Sequence, residues 1–83
     1  MKEEINNMTT VQISLNSIDK VKSFVNDITK FDYDFDLVSG RYVIDAKSIM
    51  GIFSLDLSKP ITLNVHAEGD TSEIMSILAN YEA

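Results

Sequence analysis

Ala46-Lys47-Ser48-Ile49-Met50-Gly51-Ile52-Phe53-Ser54-Leu55 is the stretch on which the fold of this chain turns, because its periodicity alone suits either a short helix or a strand. Elements on both sides read more clearly. If the stretch is helical, Ser48 is its N-cap, and its hydroxyl lies among free backbone amides at the positive end of the helix dipole. Capping alone explains a serine there, although the same amides would also stabilise a phosphate on it.

Working upstream, Tyr33, Phe35 and Leu37 alternate with Asp32, Asp34 and Asp36, Ser39-Gly40 interrupts, and Arg41-Tyr42-Val43-Ile44 resumes a strand composition. This is a β-hairpin whose glycine supplies the turn. Before it, Asn16-Ser17-Ile18-Asp19 reads as a helix start, and Ile18, Val21, Phe24, Val25 and Ile28 form an apolar stripe at helical spacing up to about Lys30. Lys20, Lys22, Asn26 and Asp27 are left to solvent. Val11, Ile13 and Leu15 alternate with Thr10, Gln12 and Ser14 as the first strand, and residues 1–8 read as a flexible lead-in.

Downstream of Lys59-Pro60, Ile61, Leu63, Val65 and Ala67 alternate with Thr62, Asn64 and His66, which gives a further strand ended by Gly69. Asp70-Thr71-Ser72-Glu73 has capping-box character, and Ile74, Ile77, Leu78 and Tyr81 form a last helical stripe. The expected fold is α+β, a two-layer open-faced sandwich with helices on one face of a four-stranded antiparallel sheet. Asp34, Asp36, Thr62, Asn64 and His66 belong to the open face.

With 83 residues the chain has room for one domain, and a hydrophobic share of 45% is enough to form a core. No cysteine is present, which excludes disulfides and thiolate metal sites. The start, Met1-Lys2-Glu3-Glu4-Ile5-Asn6-Asn7, has no apolar centre, and no later run is long enough to span a bilayer, so a cytoplasmic location is expected. A net charge of −6 with scattered basic residues argues against nucleic-acid or anionic-membrane partners.

No enzyme signature emerges. Asp32, Asp34 and Asp36 imitate the start of a calcium loop, but Leu37 stands where that loop needs glycine and Val43 where it needs glutamate. No metal or cofactor is expected. His66 is the sole histidine and has no partner assignable from local spacing, so it reads as an exposed strand residue. Gly40, Gly51 and Gly69 are too far apart for a phosphate loop.

Lys47-Ser48-Ile49-Met50-Gly51-Ile52 closely resembles the K-S-I-M-G-V segment of HPr phosphocarriers of the bacterial phosphotransferase system. Thr29-Lys30-Phe31-Asp32 is similar to that family's exit from its first helix, Ser39-Gly40-Arg41 to its N-G-K turn, and Ala67-Glu68-Gly69-Asp70 to its A-E-G entry to the third helix. The resemblance covers about residues 9–81 and implies a βαββαβα order with the undecided stretch as a short second helix. It departs at one point. Counting back from Ser48, the family's phosphorylated histidine falls at Ser17, with Asp19 and Lys20 in place of the motif's arginine and proline, and residues 9–30 contain no histidine.

A serine phosphate ester cannot readily hand its phosphoryl group onward as a phosphoimidazole does. The resemblance therefore implies a non-catalytic, HPr-like docking or regulatory module, with Ser48 as the regulatory phosphorylation candidate and Lys47, Ile49, Met50, Phe53 and Leu57 as the docking surface. Implied partners are proteins, among them HPr kinase/phosphorylase or a transcriptional regulator. A phosphocarrier role in sugar uptake and a scaffold without a switch remain the alternatives, and the oligomeric state stays open.

Overall fold

The computed structural model describes residues 8–67 and 69–83. Its elements are β1 (Met8–Ile13), α1 (Ile18–Ile28), β2 (Asp34–Ser39), β3 (Tyr42–Asp45), α2 (Ile49–Phe53), β4 (Ile61–His66) and α3 (Ser72–Leu78), followed by a 3₁₀ turn over Ala79–Tyr81. The order is βαββαβα, and the undecided stretch is a helix of five residues. Of the expected lead-in, residues 1–7 lie outside the described residues, whereas Met8 already belongs to β1.

The sheet is antiparallel throughout, in the order β1-β4-β2-β3. Ile13 faces Ile61, Val11 and Leu37 both face Leu63, and Phe35 faces Val65. These side chains share the face that the helices cover, and Ile61, Leu63, Val65, Phe35 and Leu37 are buried there. On the other face Thr10 bonds Asn64 at 2.9 Å and Gln12 bonds Thr62 at 2.7 Å, a polar cross-strand ladder of the kind that alternation requires.

Turn and cap chemistry places the helices. The β2–β3 hairpin turns on Gly40 at φ 60, with Arg41 at negative φ, the sign pattern of a type II′ turn. Ser17 and Ser48 are both extended N-caps, and their hydroxyls accept from the Lys20 and Gly51 amides at 3.1 and 3.2 Å. Gly51 has a second role: a Cβ there would lie 3.2 Å from Ile44 Cδ1 and 3.2 Å from the Ser48 hydroxyl, so its absence lets α2 settle against β3.

Three expectations need correction. Ile18 is not part of the inward stripe of α1: it is 62% exposed, because it is the first helical residue and projects beyond the layer formed by Val21, Phe24 and Ile28. Asp27 is not left to solvent but is half-buried and accepts the Tyr81 hydroxyl at 2.7 Å. No reciprocal capping box opens α3. Thr71 makes no side-chain cap bond, and the Asp70 carboxylate instead accepts from both the amide and the hydroxyl of Ser72, which holds its pKa below the usual carboxylate range.

Tyr81 ties the end of the chain to α1. Its ring meets Phe24 edge-on at 5.5 Å, and its hydroxyl donates to Asp27 and accepts from Ser23 at 2.7 Å. Beside it the backbone closes on β1, with the Ser14 amide donating to the Tyr81 carbonyl at 2.7 Å and the Ala83 amide to the Gln12 carbonyl at 3.1 Å.

Burial raises the Tyr81 phenol pKa; the Ser23 bond lowers it, and Asp27 raises it further. The folded chain thus holds this proton more tightly than the unfolded chain. Its contribution to stability is fully present below the unfolded value of about 10 and is lost as pH rises through the folded one. Tyr81→Phe is expected to lower stability by about 1 kcal/mol at neutral pH and to remove that part of the alkaline decline. Urea melts across the alkaline range check both, and an unchanged slope in the variant would assign the decline elsewhere.

Candidate functional site

With only five residues, α2 can bury only one of its faces. Ile52 takes the inward position and is fully buried, while Ile49 is half-buried against the core. The opposite side carries Met50 at 78% exposure and Phe53 at 42%. Leu57, in the turn that follows, is half-buried. Two large apolar side chains therefore stand in solvent on the short helix that exposed Ser48 caps.

Ser48 is held on three sides. Its amide donates to the Asp45 carbonyl at 3.0 Å, its carbonyl accepts the Ile52 amide at 3.0 Å, and its hydroxyl accepts the Gly51 amide at 3.2 Å. The hydroxyl is exposed and its own proton is not committed in that bond. Lys47 does not join the apolar group. Its ammonium donates to the Phe31 carbonyl at 2.7 Å and lies 5.6 Å from the Phe35 ring centroid, so a side chain grouped with the docking surface is instead spent on joining α2 to the chain between α1 and β2.

An open cleft of ≈ 510 Å³ separates the start of α1 from the end of α2, lined by Asn16, Ser17, Ile18, Phe53, Leu57 and Ser58. Ser17 and Ser48, the two positions singled out from the sequence, thus cap neighbouring helices, and Phe53 and Leu57 line the cleft beside Ser17. Ile18 is the member that sequence reasoning missed. Its spacing to Val21 suits the buried stripe, and only its place in the first turn, ahead of the residues that meet the sheet, hinted at exposure. The cleft offers apolar contact rimmed by hydroxyls and an amide, and among its lining residues there is no imidazole, thiol or carboxylate.

His66 is elsewhere. It is exposed on the open face of the sheet, where Nε2 lies 2.7 Å from the Asp36 carboxylate, a partner supplied by β2 that local spacing did not disclose. It ends β4 at the edge opposite Ile61, and Ile61 pairs with Ile13, just before α1. Five residue steps separate the two ends, about 17 Å along the strand. The only imidazole of the chain is thus on the far face and the far end from Ser17. No group of three or more metal-ligating side chains gathers among the described residues, and no described helix is long and apolar enough to cross a membrane.

Comparison with known proteins places this arrangement. Residues 18–81 match the family model described as PTS HPr component phosphorylation site. Among solved structures, HPr-C-His from Thermoanaerobacter tengcongensis is similar at 28% identity and a TM-score of 0.66, over 88% of this chain and 86% of that one. The phosphocarrier protein HPr from Bacillus anthracis str. Ames is similar at 27% identity and a TM-score of 0.65, over 90% of this chain and 95% of that one. The order of elements, the four-stranded sheet and the family match agree, and the chain belongs to the HPr family of the phosphotransferase system, whose members are non-catalytic phosphocarriers.

Proposed function

We propose that this chain is a member of the family that works by docking to proteins through α2 rather than by carrying phosphoryl groups, with Ser48 as its phosphorylation switch. The observation that carries the proposal is the pairing of an exposed, amide-bonded Ser48 with Met50 and Phe53 in solvent on the helix it caps. A phosphate on Ser48 would bring a charge of about −2 to the start of α2 and beside that apolar group. Docking would then respond to it through electrostatics. Ile49, Met50, Phe53 and Leu57 form the contact surface, Ile18 extends it across the cleft, and Lys47 supports it from beneath.

The relay reading has less support. Ser17 stands at the family's histidine position, Asp19 would repel an incoming phosphoryl group, and His66 is on the opposite face of the sheet. The buried side chains gather in one core, which supports reading the chain as a single module, and the proposed role places it in the cytoplasm. HPr kinase/phosphorylase and a transcriptional regulator are the partners this reading favours.

Two measurements decide between the readings. Incubation with a bacterial HPr kinase/phosphorylase and ATP is expected to add one phosphate at Ser48, read by mass spectrometry and lost in Ser48→Ala; an unmodified Ser48 overturns the switch. Incubation with enzyme I and phosphoenolpyruvate is expected to give no acid-labile phosphoprotein. Labelling that disappears in His66→Ala would restore the relay.

A further inference from the structure

The two edges of the sheet are treated differently. At β1, residues after α3 close on the strand, through the Ile13–Glu82 bridge and the bond from Ala83 to Gln12. At β3, no described strand pairs with the outer edge. Its sequence, Tyr-Val-Ile-Asp, has none of the proline or lysine that usually blunts such an edge. Tyr42 and Val43 are 69% and 64% exposed, one on each face of the strand.

Backbone parity shows what that edge offers. The Ala46 amide donates across the ladder to the Phe35 carbonyl at 2.8 Å. Successive residues of an antiparallel strand turn their amide and carbonyl to alternate sides. Tyr42 and Ile44 therefore bond toward β2, while Val43 and Asp45 turn outward. The Asp45 carbonyl accepts the Ser48 amide, and Val43 has both groups toward the edge.

We infer that β3 pairs antiparallel with β3 of a second copy of this chain, about a two-fold axis at Val43. The sequence is self-complementary in that register: Val43 meets Val43, Tyr42 meets Ile44, and Arg41 meets Asp45 twice. Each Val43 exchanges both backbone bonds, and each Asp45 amide reaches the carbonyl of the partner's Arg41. Charge complementarity at both ends of the edge picks a second copy in this register over a strand of arbitrary sequence, since like charges directly opposite destabilise a pair. So short an edge makes a weak, reversible dimer, and the charge of −6 on each chain opposes it until salt screens the repulsion.

The experiment is analytical ultracentrifugation of the full chain at about 0.15 M salt, from micromolar to millimolar concentration. The wild type is expected to shift reversibly from monomer to dimer. Val43→Pro removes an outward amide without touching the β2–β3 bonds and should leave a monomer. Arg41→Glu should weaken association about tenfold, and adding Asp45→Arg should restore it. Thermal melts confirm that each variant folds. A wild type that stays monomeric throughout, or a dimer that survives Val43→Pro, overturns the inference; the experiment uses unphosphorylated chain, so its outcome stands or falls apart from the Ser48 switch.

Discussion

The structure depends on the pairing of β4 along both of its edges. Ile61, Leu63 and Val65 are buried on one face of that strand, while Thr62, Asn64 and His66 point the other way. A slip of one residue against either neighbour would carry the buried set to water and bring an imidazole and an amide into the core. Register is thereby strongly specified for β1 and β2, which pair with the same strand and are far apart in sequence. The helices can then cover only the apolar face.

That constraint explains why the candidate site has its form. Both α1 and α2 enter the covering layer from its edge, and each starts with a serine whose hydroxyl satisfies an amide that has no helical partner. The first residue of α1 and the outer side of α2 have no sheet beneath them. Ile18, Met50 and Phe53 consequently remain exposed, although their chemistry would suit a core. Ile18 and Phe53 face each other across the cleft, Met50 stands in solvent on the outer side of α2, and none of the three is a group suited to carrying a phosphoryl between proteins.

Most of the fold was legible from residue order. The strands alternate at period two, Gly40 marks the hairpin, Asn16-Ser17-Ile18-Asp19 marks the start of α1, which Ser17 caps, and Ser48 is the cap expected once its stretch is helical. The site was legible in part. The Ser48 segment can be recognised from its neighbours, whereas Ile18 fits the buried stripe by spacing and only its place at the start of α1 hints at exposure, and the commitment of Lys47 to Phe31 could not be read because Phe31 lies beyond the hairpin in sequence. The capping box expected at Asp70-Thr71-Ser72-Glu73 failed for a local reason: Asp70 bonds Ser72 more directly than Thr71 can reach its own helix.

The sequence alone determined the class of fold, the missing histidine in residues 9–30 and the position of Ser48, since these follow from periodicity, residue identity and capping chemistry. Tertiary structure decided what those features face. It placed His66 against Asp36 on the open face, turned Asp27 inward to Tyr81, and set Ile18 across a cleft from Phe53. The physical reason is common to all three: periodicity records which side of an element is apolar, whereas the partner met by a side chain is fixed by the order and register in which the strands close.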